Sequence, residues 1–573
     1  MRIMASLYTT GTKGSDVYTA AGLGNSLLEL NNLLIRGTDA SYIQEGFDKV
    51  LASSYNKEKV IEDLIVLAFH TRDITGGKGE RKCSEDLFKC LLRSEQTRAV
   101  TLDLLDLVPD YGSWRDLFNL GIAICGTRLL DIVEKQFRED ELAYSSGLPM
   151  SLLAKWMPRE GQPDVTPFVA RLVPGKMFMP TRMKWYRKRV ASLNKALDTV
   201  EIKMCAKEWQ KIDPKKVPGR ALQKYTQAFL NEKDHKPRYP ANVDRLVCRA
   251  SFQEYFKKTV LGELKAKSAT LYPHEVVKKA MAIIKRPNPE EFSEDEVNHL
   301  EGTWKSMIHE AKLGGGLGRS LAMCDFSGSM TSSAANKDLP YWVSLSMGLL
   351  ISEITQHEFK NTFLTFDSKP KFHIMSKGSS LFEKLSTIDG SISQGLSTDF
   401  QAAMDLVLQV LKVARAAPGN EPENLIVLTD MAWDAACGSS DRGAYTGNSY
   451  RHINKTAPWQ THVEMIREAF KRAGEDMWGP GNGWKMPRIV IWNLSAGSKD
   501  FHATAETEGV VMLSGWSPNI FKILQTQGVV IKTPLDALRV QIDDERYRPV
   551  RERVSKFFNS DAVRKEWFRS AYA

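Results

Sequence analysis

LAMCDFSGSM, residues 321–330, decides how the rest of the chain is read. An apolar run stops at one carboxylate, Asp325, and is followed at once by Phe326 and by two serines, Ser327 and Ser329, around Gly328. Asp, Ser and Gly are ordinary turn formers whose side chains bond their own backbone. At the carboxyl end of a parallel strand the same residues offer hard oxygen donors to a divalent cation. The downstream sequence favours a sheet. SLAMCDF is followed by a helix around YWVSLSMGLLISEIT, then by NTFLTF and KFHIM, a helix around FQAAMDLVLQVLKVARA, and LIVLTD. A helix around THVEMIREAFKRAG, the runs RIVIWNLS and GVVMLSG, and a helix from PNIFKILQT complete the series. Alternation of this kind predicts a doubly wound α/β domain over 320–535, mostly parallel, with helices on both faces.

Upstream the grammar is different. Segments such as IEDLIVLAFH, SEDLFKCLLR, RAVTLDLLDLV and RLLDIVEKQF place apolar residues three and four apart, and short Pro- or Gly-containing loops separate them. Residues 22–311 are therefore expected to be an all-helical, repeat-like domain, although no fixed period is present. Residues 1–21 are expected to be a flexible N-terminal segment, the glycine run at 312–319 a linker, and 536–573 a helical tail. Neither glycine-rich segment fits a phosphate loop. AKLGGGLGRS precedes a strand instead of following one, and TGGKGER, at 75–81, lacks the Ser or Thr that a P-loop gives to magnesium.

Composition bounds the possibilities. A chain of 573 residues implies two or more domains. Its seven cysteines are scattered with no CxxC pair, which argues for reduced thiols in an intracellular, cytoplasmic setting and against zinc ribbons or disulfide scaffolds. The N-terminus lacks the apolar core of a signal peptide, and no run approaches the ~18 apolar residues of a membrane span. A net charge of +9 permits a polyanionic partner without demanding one.

Oxygen groups recur where an α/β sheet places its ligand crevice. Asp325, Ser327 and Ser329 follow the first strand, Thr398 and Asp399 precede a long helix, and Asp430 ends LIVLTD. Two carboxylates, two serines, one threonine and a water make the six oxygens that Mg²⁺ or Mn²⁺ accepts, and a vacant position could take an acidic group from a partner. The bland alternative is a set of turns and helix caps. Asp367 and Asp434 read as loop aspartates, and Cys324 as a buried small hydrophobe.

DFSGS resembles the DxSxS motif of von Willebrand factor A domains, which are doubly wound, Rossmann-like α/β sandwiches. That resemblance implies a metal-ion-dependent adhesion site, with Asp325, Ser327 and Ser329 as first-loop ligands, Thr398 from the second loop and Asp430 from the third. The phrases FHTRDITGGKGER, PDYGSWRDL and WYRKRVASLNKAL, with WNLS and MLSGWSPN, resemble a family recorded mainly as a domain of unknown function. Its module order is similar to that of the Ro autoantigen, a helical TROVE module followed by a von Willebrand A domain. The resemblance implies a non-enzymatic, metal-dependent binding protein acting in ribonucleoprotein assembly or RNA quality control.

The helical half offers cations and rings for such a partner. PTRMKWYRKRVASLNK interleaves Arg182, Lys184, Arg187, Lys188 and Arg189 with Trp185 and Tyr186. Charge would meet phosphate and the rings would stack on bases. Lys215, Lys216, Arg220 and Lys224 form a second basic stretch; Arg72, Lys78, Arg81 and Lys82 form a third. Charged helical runs are usually solvated faces, and helical aromatics are usually core. His70 is expected to be packed and hydrogen-bonded. Two other partners are carried forward: an acidic protein recruited by the metal, and, least favoured, a substrate of a metal-dependent nuclease or hydrolase. A two-ion hydrolase needs an acidic cluster that this set lacks.

Overall fold

The computed structural model describes residues 8–10, 16–19, 23–53, 56–175, 177–233, 236–287, 293–331, 340–356, 359–366, 369–389, 400–431, 459–496, 501–525 and 531–560. They form two compact units, each drawn from separate parts of the chain: residues 1–53 with 256–541, and residues 54–255 with 542–573.

The first unit is built on a six-stranded sheet. Its strands are β5 (Ser320–Asp325), β6 (Thr362–Phe366), β7 (Phe372–Ile374), β8 (Asn424–Thr429), β9 (Arg488–Asn493) and β10 (Val510–Ser514), in the order β10-β9-β8-β5-β6-β7. All neighbours pair in parallel except β7, which runs antiparallel at one edge. Every residue of β5, β6, β8 and β10 is buried, as expected of parallel strands covered on both faces. The helix Pro340–Ile354 packs on β5 so closely that a Cβ at Gly348 would lie 2.2 Å from Cys324 Sγ. From β5 the chain moves to β6 and β7 on one side, then returns across β5 to β8 and continues outward to β9 and β10. The order reverses between β5 and β8, the position at which α/β sheets of this kind place a ligand crevice.

Helices expected to belong to the all-helical half join this unit. Val276, Val277, Ala280 and Trp304, from Pro273–Ile284 and Glu294–Leu313, share one core with Val343, Leu350 and Ile354. Trp304 Nε1 donates to Glu353 Oε1 at 2.8 Å, and Lys384 pairs with the same carboxylate at 2.9 Å. The glycine run is thus a turn inside one unit, not a linker between two: Leu317 is buried, and the Gly318 carbonyl accepts from Gln356 N at 2.9 Å. Nor are residues 1–21 simply a flexible segment. β1 (Tyr8–Thr10) and β2 (Asp16–Tyr18) form an antiparallel pair, and Tyr18 bridges to Phe501. Both pairings lie far from the segments whose periodicity is visible, so the pattern could not announce them.

The second unit is helical apart from the short pair β3 (Glu232–Lys233) and β4 (Lys236–Pro237). The expected tail is divided: the helix Arg548–Phe558 packs against Lys57–Arg72. There Asp73 receives Arg546 through two hydrogen bonds, and the Tyr547 hydroxyl bonds Asp73 Oδ2 at 3.1 Å. The TGGKGER loop folds tightly over the end of Lys57–Arg72, where a Cβ at Gly77 would fall 2.0 Å from the His70 carbonyl oxygen. His70 is packed and hydrogen-bonded as expected, with Nδ1 3.1 Å from the Tyr547 hydroxyl. No helix among the described residues is long and apolar enough to cross a membrane.

Candidate functional site

The reversal of strand order brings together two carboxylates more than a hundred residues apart in sequence. Asp325 closes β5 and is fully buried; Asp430 follows the last residue of β8 and is 6 % exposed. Cys324 pairs in register with Leu428, which sets the two strand ends side by side. Asp325 Oδ1 accepts from the Ser327 N–H at 2.8 Å, turning the chain immediately after the strand. The hydroxyls of Ser327 and Ser329 lie 3.0 Å apart. Phe326, between the oxygen-bearing residues, is buried against Tyr341 and Phe363, and Met330 is wholly buried at the far end of the turn. Two apolar anchors thereby hold the serine loop to the core.

Thr429, which sequence reasoning passed over as a strand residue, connects the two loops. Its hydroxyl donates to Asp325 Oδ2 at 3.0 Å and accepts from the Met431 N–H at 3.2 Å. Met431 adopts a left-handed φ of 70°, unusual for a non-glycine residue, directly after Asp430. The only signal in the sequence was a hydroxyl beside the strand-end carboxylate, and threonine is common in strands.

Burial first, and the neighbouring Asp430 charge second, push the Asp325 carboxyl up to about 7, while the hydrogen bonds from Ser327 and Thr429 work in the opposite direction. A cation between the carboxylates would offset both effects, so this donor set fits a hard divalent ion. Among the described residues no group of three or more His, Cys, Asp or Glu side chains is placed to hold a metal. A cation held here would therefore rest on two carboxylates with hydroxyl oxygens. Thr398 and Asp399, as well as Asp367 and Asp434, lie outside the described residues.

The basic helix belongs to the second unit. Met179–Ala196 buries Tyr186, Val190 and Leu193, and the Tyr186 hydroxyl donates to the Pro158 carbonyl at 2.8 Å. Trp185 is half-buried. Arg182 donates to the carbonyls of Ala170 and Val173, at 2.7 and 3.1 Å. Arg187 pairs with Glu160 and Arg189 with Glu141, each at 2.5 Å. Lys184 and Lys188 are exposed, one helical turn apart. The second basic stretch has ring neighbours: the Lys224 ammonium lies 5.0 Å from the Tyr225 ring centre.

Only half of the third basic group faces solvent: Arg81 and Lys82 are exposed, the other two are not. Arg72 and Lys78 are buried, and Arg72 and Arg81 both pair with Asp116 at 2.7 Å. Burial pulls the Lys78 ammonium down to about 7. The loop glycines permit this inward fold, which a count of charges cannot reveal.

Comparison with known proteins finds domains of unknown function and an uncharacterised relative. Residues 319–565 match one domain of unknown function (DUF7788), and residues 158–317 match another (DUF2828). The chain is similar to an uncharacterized protein of Acanthamoeba polyphaga mimivirus, 26 % identical over 518 residues, covering 86 % of this chain and 81 % of the relative. Among solved structures it is similar to the Deinococcus radiodurans RO (RSR) protein, at 13 % identity and a TM-score of 0.39, covering 88 % of this chain and 100 % of that one.

Proposed function

We propose that this chain is a non-enzymatic, cation-dependent binding protein whose sheet unit is a von Willebrand A-type domain. The observation that carries the reading is the convergence of Asp325 and Asp430 at the ends of adjacent parallel strands, beside the Ser327 and Ser329 hydroxyls. Asp325, Ser327, Ser329 and Asp430 would hold Mg²⁺ or Mn²⁺, with Thr398 as the further ligand that the adhesion-site resemblance implies. When bound, the ion supplies a Lewis-acidic position for an anionic oxygen of a partner. The protein's own residues orient that position: Phe326 and Met330 fix the serine loop, and Thr429 holds the first aspartate to the third loop.

RNA is the favoured partner, in ribonucleoprotein assembly or RNA quality control. The net charge of +9 and the exposed pair Lys184 and Lys188 beside Trp185 support this reading. The intramolecular pairing of Arg187 and Arg189 favours the second reading, in which the partner is an acidic protein and the helix face is structural. Calorimetric titration with Mg²⁺ and Mn²⁺, followed by filter binding of single-stranded RNA with the ion or with EDTA, tests both parts. Cation binding lost in Asp325→Asn and Asp430→Asn supports the centre; unchanged binding in both overturns it. Failure of the wild-type protein to bind any RNA at low salt would transfer the reading to a protein partner.

A further inference from the structure

We infer that His502 is a positioning residue for the cation centre, an inference that rests on the cation reading above. His502 is 1 % exposed, and its Nε2 lies 2.9 Å from the carbonyl oxygen of Met431. A carbonyl can only accept, so Nε2 carries the proton and donates. Met431 is the left-handed residue immediately after Asp430, and its own N–H is held by the Thr429 hydroxyl. Met431 is thus fixed at its N–H by Thr429 and at its carbonyl by His502. A non-glycine residue persists in this region of backbone space when its surroundings hold it there. Releasing the Met431 carbonyl would let the residue relax toward the ordinary helical or extended regions and carry the Asp430 carboxylate with it.

His502 is itself held. The Phe501 carbonyl accepts from the Tyr18 N–H at 2.7 Å, and the Ala505 N–H donates to the Leu23 carbonyl at 2.9 Å. Backbone bonds from the N-terminal segment therefore clamp both sides of the histidine, and Ala505 also receives the Leu535 N–H at 3.1 Å. A support this rigid can transmit orientation to a ligand loop in the manner of the hydrogen-bonded partners that orient metal-binding side chains. His502 acts on the ion position through Met431.

The test measures Mn²⁺ affinity of the full chain by calorimetry, with electron paramagnetic resonance of the bound ion, for wild type, His502→Phe and His502→Gln. Phe keeps a ring but has no donor, whereas the Gln amide can donate to the Met431 carbonyl. His502→Phe is expected to weaken Mn²⁺ binding about 10- to 100-fold and His502→Gln to restore most of it. Melting curves in EDTA accompany each variant, because a purely structural role would lower stability in both without separating their affinities. Equal affinities in all three proteins, or equal losses in both variants, overturn the inference while leaving the centre intact. A wild-type chain that binds no Mn²⁺ overturns the cation reading itself and the inference with it.

Discussion

Replacing Asp325 by Asn should abolish cation binding and, at the same time, stabilise the cation-free fold above neutral pH. The Asp325 carboxyl is held at about 7 in the fold against an ordinary 3.8, first by burial and then by Asp430. Between those pH values the folded chain keeps a proton that the unfolded chain has released. Stability therefore falls as pH rises through the window, and the loss is complete once pH passes the folded value. About three pH units at roughly 1.4 kcal/mol each come to on the order of 4 kcal/mol. The amide still accepts from the Ser327 N–H, and its NH₂ meets the Thr429 hydroxyl, which can accept it as well as the Met431 N–H. The Thr429 hydroxyl hydrogen then loses its acceptor, a cost of about 1 kcal/mol, leaving a net gain of on the order of 3 kcal/mol. Denaturation in EDTA at about pH 5 and about pH 8, followed through hydrogen exchange of β5 and β8 amides, reads the effect. Wild type should lose stability at the higher pH while Asp325→Asn barely changes. Parallel pH dependence in the two proteins would refute the account of a strained, buried carboxylate.

Other perturbations test neighbouring parts of the site and the fold. Thr429→Val removes one hydroxyl from the link between the loops, and calorimetry should show Mn²⁺ affinity reduced about tenfold with the sheet intact. Gly348→Ala should cost about 1 to 3 kcal/mol in a denaturant melt through overpacking against Cys324, and Cys324→Ala in the same chain should recover much of it. If the basic helix binds RNA, replacing Lys184 and Lys188 together should reduce the slope of log K against log salt by about 0.7 for each phosphate no longer neutralised, read by filter binding. Replacing Arg187 and Arg189 should leave that slope nearly unchanged, since both already pair with carboxylates.

The strands were legible because a parallel strand covered on both faces reads as an unbroken apolar run, and a carboxylate at its end stands out. LAMCDF and LIVLTD meet that description, so Asp325 and Asp430 could be singled out before their proximity was visible. Phe326 as a core anchor was not separable from the oxygen-bearing turn, because its ring partners Tyr341 and Phe363 come from other elements. Thr429 and His502 escaped for a related reason. Each makes a hydrogen bond to Met431, whose backbone is unusual, and left-handed φ at a methionine has no sequence signature. Lys78 was misread in the opposite direction: a lysine between glycines looks solvent-exposed until the glycines are seen to fold it inward.

Unit boundaries expose the same limit of local pattern. The two family models meet at 317 and 319, within the glycine run, where helical grammar gives way to strand grammar. The packing divides elsewhere, because burial depends on which surfaces find partners and not on where periodicity changes. Cutting at the glycine run would take Trp304 from the carboxylate of Glu353 and Val276 from the core around Val343. The same cut would take Arg546 and Tyr547 from Asp73, a carboxylate whose side chain is buried under the segment that pairs with it. An unpaired buried charge costs far more than an exposed one, so the fragment that keeps Asp73 would carry a defect that the intact chain does not have. The N-terminal hairpin adds a third dependence, since Tyr18 holds Phe501 beside the histidine that steadies the Asp430 loop. Sheet, hairpin and the loops that carry Asp325 and Asp430 therefore belong to one folded unit, and the proposed cation centre would depend on residues from widely separated parts of that unit.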